Sequence, residues 1–285
     1  MPELPEVETI ARGVDARVRG DRIVDAWFGP HREPFKTPPA RQARGLEGRT
    51  ILSVHRAGKH IVCELGRPGP AGGGSLEKFS GKADAQWVVH LGMTGRLLVT
   101  TADNPPPAHT HARLALESGR ELRFVDPRRF GRLELRDLRR DDGFAAPGAE
   151  PLSIGREEFA ALFRGRRLAI KAALLNQTLL AGVGNIYADE SLFRAGVRPR
   201  RMAGRLKRAE LERLRLALRE VLQQAIRLGG SSVSDYVDAD GARGLFQLEH
   251  GVYQRTGEPC LRCKSPIRRI VVAGRSTHYC PKCQH

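Results

Sequence analysis

The chain opens with an amphipathic helical pattern. Four apolar residues recur at intervals of three and four between residues 5 and 19: Val7, Ile10, Val14 and Val18. Pro5 stands at the start of this segment and Gly20 at its end, positions that suit the first turn and the termination of a helix. The spacing predicts one helix with an apolar face directed towards a core.

From residue 22 to residue 136 the pattern changes to short apolar runs bounded by Gly, Pro and Asp. Six or more such runs without intervening helices predict an antiparallel sandwich or barrel. Residues 66–86 interrupt the runs with a Gly-rich stretch of low complexity. We interpret that stretch as a solvated loop insertion.

Asp, Gly and Pro become frequent between residues 139 and 151, and the pattern beyond them is helical. A domain boundary is therefore expected there. The last helix carries a continuous apolar stripe, which is typical of a face packed on a core. The predicted helices cover residues 156–164, 169–175, 185–194 and 207–228.

Four of the five cysteines lie within the last 26 residues, in the pattern C-x2-C-x16-C-x2-C. Two such pairs suit one tetrahedral zinc site, formed by Cys260, Cys263, Cys280 and Cys283. Residues 267–272 and 276–279 read as two strands around a turn at Ala273 and Gly274. So small a hairpin needs the metal for its folding energy. The fifth thiol, Cys63, lies in an apolar run and is expected to be an inert core residue.

The charge of the chain narrows its partners. Its 285 residues have an ordinary globular composition, but 48 Lys and Arg against 32 Asp and Glu leave a net charge of +16. Nucleic acid or an acidic membrane usually neutralises such an excess. Because the chain has no apolar run of about 18 residues and no secretory signal at its start, we expect a cytoplasmic protein that binds nucleic acid.

The first residues, MPELPEVET, hold a candidate nucleophile. Removal of Met1 would leave Pro2 with a free secondary amine. An α-amino group has a pKa near 8, so a useful fraction is neutral at physiological pH. Glu3 is close enough along the chain to move protons. Taken alone, however, this pair is a weak signal, because such a terminus in an arbitrary protein is usually no more than an ordinary helix start.

Further motifs change that balance. In matching order, PELPEVET, HRAGKHIV, HLGMTG, DPRRFG, GVGNIYADESLF and the four-cysteine hairpin resemble the formamidopyrimidine-DNA glycosylase family over nearly the full chain. The resemblance implies a bifunctional enzyme that removes oxidised purines, such as 8-oxoguanine and formamidopyrimidines, and then nicks the abasic strand.

The same resemblance implies an α+β fold in three parts. We expect a catalytic antiparallel β-sandwich with a flanking helix in residues 1–140, and a helix-two-turn-helix domain in residues 151–248. A zinc finger with a β-hairpin would then occupy residues 249–285. One structural zinc ion, damaged double-stranded DNA as partner, no membrane partner, a monomer, and a bacterial-type cytoplasmic enzyme associated with the nucleoid complete the expectation.

The resemblance also assigns chemistry to residues. Pro2 would attack the sugar C1′ and form an iminium Schiff base, which favours β and then δ elimination. Glu3 matches the general acid/base that assists ring opening. Lys59 matches the active-site lysine, and Lys171 a lysine near the lesion. These four are the candidate catalytic residues.

A second group would bind the DNA. Met93, Arg128 and Phe130 match the trio that fills the gap left by a flipped base, although Met93 and Phe130 singly would read as core residues. His109, Asn185 and Arg275 match phosphate contacts, and free amides at the start of the helix after GVGN would add to them. Residues 229–236 match a flexible loop over the flipped purine.

Two alternatives stay open. Endonuclease VIII-like enzymes, which prefer oxidised pyrimidines, share the N-terminal proline and the finger, but Leu4 and the Met/Arg/Phe trio favour the purine-directed branch. A catalytically silent zinc-dependent DNA-binding relative would have no need of Pro2, Glu3, Lys59 and Lys171. Asn176, where the family usually has Asp, and the long insertion depart from the family pattern without touching a catalytic position.

Overall fold

The structure is a computed structural model that describes residues 1–67, 82–232 and 237–285. Most of the predicted insertion at 66–86, and part of the predicted loop at 229–236, lie outside the described residues. The chain divides into two compact units. The first contains Met1–Pro2, Glu6–Ala145 and Ser232–Gly244, and the second contains Glu3–Pro5, Ala146–Ser231 and Leu245–His285.

The first unit is built on two four-stranded antiparallel sheets, ordered β1-β6-β7-β5 and β2-β3-β4-β8. Apolar residues of both sheets meet in a single core, which makes the unit a sandwich and confirms the predicted fold class. The elements, in chain order, are α1 (Leu4–Val18), β1 (Ile23–Phe28), α2 (Pro39–Leu46), β2 (Thr50–Ala57), β3 (His60–Gly66), β4 (Ala85–His90), β5 (Arg96–Thr101), β6 (Thr110–Leu116), β7 (Arg120–Val125) and β8 (Arg132–Asp137).

The predicted face of α1 is buried in this core, as are Cys63 and Ala239. Burial raises the pKa of the Cys63 thiol to about 12, so the thiol stays protonated and unreactive.

The expectation of strands without intervening helices is wrong at α2. This short helix buries only Gln42 and Leu46, so its sequence carries too little apolar periodicity to predict it. Gln42 replaces the missing apolar contacts with hydrogen bonds. Its amide oxygen accepts from the Trp87 indole at 3.0 Å, and its amide nitrogen donates to the carbonyl of Thr37 at 2.8 Å.

The second unit follows the sequence pattern closely. Its helices pack around one core, and the predicted apolar stripe of its longest helix is buried there. The hairpin turn at Ala273 and Gly274 has two residues with positive φ, the geometry that suits a two-residue hairpin. The elements are α3 (Arg156–Phe163), α4 (Ile170–Leu175), α5 (Asn185–Ala195), α6 (Arg208–Arg227), β9 (Arg268–Val272) and β10 (Arg275–Tyr279), with 3-10 turns at Ala203–Arg205 and Phe246–Glu249.

Across the described ranges, no helix combines the length and the apolar character needed to cross a membrane.

Candidate active site and nucleic-acid interface

The carboxylate of Glu3 lies at the N-terminus of α5. It accepts a hydrogen bond from the backbone N–H of Ile186 at 3.2 Å and a longer one from Tyr187 at 3.5 Å. The amide of Leu4 donates to the carbonyl of Gly182 at 3.0 Å and fixes the approach of the chain. A carboxylate in this position is favoured by the positive end of the helix dipole. Two of the free amides that we expected to bind phosphate therefore bind Glu3 instead.

Gly184 permits this close approach. A Cβ atom at this position would lie 2.2 Å from the Cδ of Glu3, well inside contact distance. The second glycine of the GVGN motif thus makes room for the carboxyl group, a role that the sequence pattern did not reveal.

Lys171 is completely buried in the second unit. Its ammonium group is 2.7 Å from a carboxylate oxygen of Asp189, and it donates to the carbonyl of Ser276 at 2.9 Å and to the Thr277 hydroxyl at 2.8 Å. Burial lowers the pKa of Lys171, while the charge of Asp189 opposes that shift. Through one ion pair and two hydrogen bonds, Lys171 fastens α4 to α5 and β10.

Asn185 and Arg275 meet through the strand that carries Arg275. The side-chain amide of Asn185 donates to the carbonyl of Ser276 at 3.0 Å, the same carbonyl that Lys171 holds. Arg275 itself is exposed at the start of β10. The two predicted phosphate contacts are therefore fixed to each other by backbone next to Arg275.

Two buried acids that sequence reasoning missed dock the zinc-finger segment. Asp189 accepts from the backbone N–H of His278 at 2.8 Å. Glu190 accepts from three consecutive amides, those of Gly251, Val252 and Tyr253, at 2.8 to 3.0 Å. Burial raises the pKa of Glu190 above its usual value. The sequence signal for them is a pair of adjacent acids within a largely apolar helix.

The four predicted metal ligands converge. The Sγ atoms of Cys260, Cys263, Cys280 and Cys283 all lie within 4.8 Å of one another. Two of their separations are 3.9 Å (Cys260 to Cys283) and 3.4 Å (Cys263 to Cys280). In a tetrahedral thiolate site with Zn–S bonds of about 2.3 Å, the sulfur atoms lie about 3.8 Å apart. The geometry fits one structural zinc ion.

In the first unit, the HLGMTG and DPRRFG segments form adjacent loops. They touch through the backbone, since a Cβ on Gly92 would lie 2.5 Å from the carbonyl carbon of Phe130. Met93 is 43% exposed and Phe130 is 49% exposed, so neither is a core residue. The Arg128 guanidinium lies 4.7 Å above the Phe130 ring. The predicted trio is thus presented to solvent on two loops that pack together.

Asp126 organises these loops and was also missed. Its buried carboxylate accepts from the Thr94 hydroxyl at 2.6 Å and from the amides of Arg128 and Gly131 at 3.2 and 2.8 Å. Its own amide donates to the carbonyl of His109 at 3.0 Å. His109 is exposed and has a left-handed backbone, with φ of +65°. One residue therefore positions both loops and the predicted phosphate contact.

Lys59 occupies the turn between β2 and β3, directly after Gly58, whose φ is +60°. The next residue, His60, pairs with His90 of β4, and their rings lie 4.8 Å apart. Burial lowers the pKa of both histidines, that of His60 to about 4. His90 Nδ1 accepts the amide proton of Gly92 at 3.2 Å. A neutral His90 must then carry its proton on Nε2, as a donor beside Lys59.

Of the candidate catalytic residues, Pro2 and Lys59 belong to the first unit, whereas Glu3 and Lys171 belong to the second. Pro2 is buried and Met1 is 49% exposed.

Comparison with known proteins defines the class of fold and site. Residues 1–133 match the formamidopyrimidine-DNA glycosylase N-terminal domain, and residues 147–237 match the H2TH domain of the same glycosylases. Residues 257–285 match a zinc finger found in these glycosylases and in isoleucyl-tRNA synthetases. The class is a sandwich domain joined to a helix-two-turn-helix domain with a zinc finger.

Individual proteins of known sequence or structure support the same class. A formamidopyrimidine-DNA glycosylase of Solibacter usitatus is 47% identical over all of this chain and 99% of its own length. The crystal structure of the Thermus thermophilus MutM (Fpg) protein matches with a TM-score of 0.82 and 42% identity, covering 99% of this chain and 98% of that one. A Lactococcus lactis Fpg variant bound to Fapy-dG-containing DNA matches with a TM-score of 0.85 and 34% identity, covering 99% of each chain. The chain belongs to the formamidopyrimidine-DNA glycosylase family.

Proposed function

We propose that this protein is a DNA glycosylase and abasic-site lyase of base-excision repair, which removes oxidised purines from double-stranded DNA. The observation that carries the proposal is full-length similarity to formamidopyrimidine-DNA glycosylases in a chain that retains Pro2 and holds the Glu3 carboxylate on the N-terminus of α5. The protein acts as a monomer in the cytoplasm, where it binds the nucleoid DNA.

The reaction begins at Pro2. Once Met1 is removed, the neutral secondary amine attacks the sugar C1′, and the bond from C1′ to the base breaks. The amine loses its proton, the departing base gains one, and opening of the sugar ring leaves an iminium ion between Pro2 and C1′. Loss of the C2′ proton delivers the C–H electron pair to that cation, and the resulting enamine expels the 3′ phosphate from C3′ as the iminium re-forms. Loss of the C4′ proton then expels the 5′ phosphate from C5′ in δ elimination.

Glu3 supports proton transfer in this scheme. It is buried, and its carboxyl group is held by the backbone N–H of Ile186 at the start of α5. A carboxyl group beside Pro2 in the chain is suited to donate a proton to the ring oxygen during opening and to recover it afterwards.

The remaining residues bind and shape the DNA. We assign phosphate contacts to Asn185, Arg275 and His109, and gap filling to Met93, Arg128 and Phe130. Lys171, with its ammonium group held by three protein acceptors, acts by positioning β10 rather than by touching the lesion. Lys59 is the active-site lysine of the first unit.

Borohydride trapping tests the proposal. We expect the reduced protein–DNA adduct on a duplex with 8-oxoguanine, and a weaker one on a duplex with thymine glycol. Predominant trapping on thymine glycol would favour the pyrimidine-directed relative, and no trapping on either duplex would favour a silent DNA-binding protein.

The position of the adduct tests the nucleophile. Mass spectrometry of the reduced complex should find the DNA remnant on Pro2. Blocking the N-terminus with an uncleaved tag turns the Pro2 nitrogen into an amide, whose delocalised lone pair cannot attack. The blocked protein should bind zinc and DNA but fail to excise. A remnant on Lys59, or normal turnover by the blocked protein, would contradict the assignment.

A further inference from the structure

An arginine-rich cavity lies in the first unit, outside the loops that carry the candidate DNA contacts. It has a volume of about 200 Å³, and six arginines line it: Arg41, Arg44, Arg49, Arg67, Arg136 and Arg139. Within the described ranges, no lysine or histidine contributes to the lining. The guanidinium fork matches the geometry of a phosphate better than an ammonium group does.

The cavity sits at the opposite end of the sheet from the candidate DNA loops. The strand β8 begins next to the DPRRFG loop and ends at the cavity with Arg136 and Asp137, while β4 runs from the cavity to His90. Six residues of extended chain separate the two ends by about 17 Å, at about 3.3 Å per residue. A phosphate bound here is therefore not one that the loops also hold.

The floor of the cavity is a built structure. Arg49 is buried, donates to both carboxylate oxygens of Asp84 at 3.0 and 3.2 Å, and also donates to the carbonyl of Gly45. A Cβ on Gly45 would lie 2.2 Å from a methyl carbon of Leu135, so α2 packs closely against β8. This packing brings the arginines of the helix next to those of the strand.

Acidic partners neutralise only part of the charge. Arg139 pairs with Asp137, Arg136 pairs with Glu134, and Arg67 lies 3.9 Å from Asp84. Among the described residues, these six guanidinium groups have three carboxylate partners, which leaves an excess of three positive charges. Like charges gathered around one concavity repel one another unless an anion enters.

Two arginines are available to such an anion. Arg41 and Arg44 are exposed, stand three residues apart on one face of α2, and form no ion pair or side-chain hydrogen bond within the part of the chain that the structure describes. Their donors and the excess charge converge on a space large enough for one phosphate group with water.

We propose that this cavity is a second phosphate-binding site, which takes a phosphodiester of the DNA backbone away from the lesion. The choice of DNA as the source of the phosphate rests on the proposed function. The site would add an anchor on the sandwich unit that reads no sequence and no damage.

Inorganic pyrophosphate tests the cavity without DNA. We expect calorimetry at low salt to show binding to the wild-type protein, and binding at least tenfold weaker to the Arg41→Gln/Arg44→Gln variant. The Arg164→Gln/Arg167→Gln variant removes two exposed arginines of the other unit, and so controls for net charge. Unchanged pyrophosphate binding in the first variant, or equally tight binding of a hexaglutamate peptide to the wild type, would overturn the phosphate site.

Undamaged DNA tests the source of the phosphate. On a plot of log K for a 30-base-pair duplex against log salt concentration, each phosphate contact contributes a slope of about −0.9. The Arg41→Gln/Arg44→Gln variant should lose about one such contact from its slope, whereas the control keeps the wild-type slope. An unchanged slope together with weakened pyrophosphate binding would overturn the DNA source. On a damaged duplex too short to reach the cavity, the variant should excise the base at the wild-type rate. Absence of excision by the wild type would count against the proposed function alone.

Discussion

At the residue scale, Gly184 makes the sharpest prediction. Gly184→Ala places a methyl group on the Glu3 carboxyl, so either Glu3 or the start of α5 must move. Overpacking of this kind costs about 1–3 kcal/mol. We expect single-turnover excision to fall at least tenfold while zinc content stays unchanged.

Gly155→Ala is the matched control for this substitution. Gly155 precedes α3 with a φ of −71°, and an added Cβ would meet no atom within 4 Å. Activity and thermal stability of this variant should stay close to those of the wild type. Equal loss of activity in both variants would mean that the contact with Glu3 has no special role.

His60 gives the sandwich a predictable dependence on pH. Burial, reinforced by the electrostatic influence of the neighbouring His90 and Lys36, lowers its folded pKa to about 4, against about 6.5 in the unfolded chain. As the pH falls below 6.5, the imidazole of His60 is protonated in the unfolded chain but not in the folded one. The free energy of unfolding is therefore highest above pH 6.5 and decreases as the pH falls towards 4. With His60 partly solvated, we expect about 1–2 kcal/mol of this loss between pH 7.5 and pH 5.

Urea denaturation at both pH values measures this loss. His60→Phe should lose less stability on acidification than the wild type does. His55→Phe, on the neighbouring strand and half exposed, controls for the removal of a histidine from this sheet. The same acid dependence in wild type and His60→Phe would rule out His60 as its source.

At the scale of elements, the adjacent HLGMTG and DPRRFG loops act together. Replacing Met93 or Phe130 by Ala removes an exposed apolar group, so we expect stability to change by less than about 0.5 kcal/mol. Excision from duplex DNA should slow, while cleavage of a preformed abasic site should be largely retained, because the base has already been removed. Val24→Ala, an exposed apolar residue of β1, is the control. Equal loss on both substrates would argue against gap filling.

The zinc hairpin is the second element with a separable role. Cys280→Ser removes one of the four converging sulfur atoms, and the strand that carries Arg275 loses its anchor. We expect zinc to be lost and DNA affinity to be abolished, while the sandwich keeps its cooperative unfolding. Cys63→Ala, in the sandwich core, should retain zinc and DNA binding. Full DNA binding by Cys280→Ser at physiological salt would contradict this role.

The elements also show which parts of the fold and site can be predicted from the sequence. Helices α1 and α6 were predictable because regularly spaced apolar residues indicate a buried face. Helix α2 was not, because one of its two buried residues is the polar Gln42. The spacing of the four cysteines predicts that they are metal ligands. No such signal marks Asp126, Asp189 and Glu190, because an acid that binds buried amides looks in sequence like a surface acid. Their roles depend on partners that are distant along the chain.

At the scale of the whole molecule, the chain crosses between its two units. The predicted continuous boundaries at 1–140 and 151–248 do not anticipate that Ser232–Gly244 joins the sandwich. Within that segment Ala239 is buried in the sandwich core, and its carbonyl accepts from the amide of Val99 at 3.1 Å. No local apolar pattern marks a single alanine as a core residue of a unit encoded a hundred residues earlier.

A fragment of residues 1–145 should therefore be incomplete. We expect it to unfold at lower urea concentration than the same fragment joined by a flexible linker to residues 232–244, because the latter restores Ala239 and its hydrogen bond to Val99. Ala239→Asp in the joined fragment should cancel the gain. Equal midpoints for the two fragments would show that the segment contributes no stability.

This interleaving limits how such a gene can be rearranged. A recombination breakpoint between the codons for residues 145 and 146 would separate the sandwich from a piece of its own core, and would leave Glu3–Pro5 apart from the unit to which they belong. Neither unit can be inherited as a simple cassette. Exchange of whole genes, rather than shuffling of their halves, would keep each unit intact.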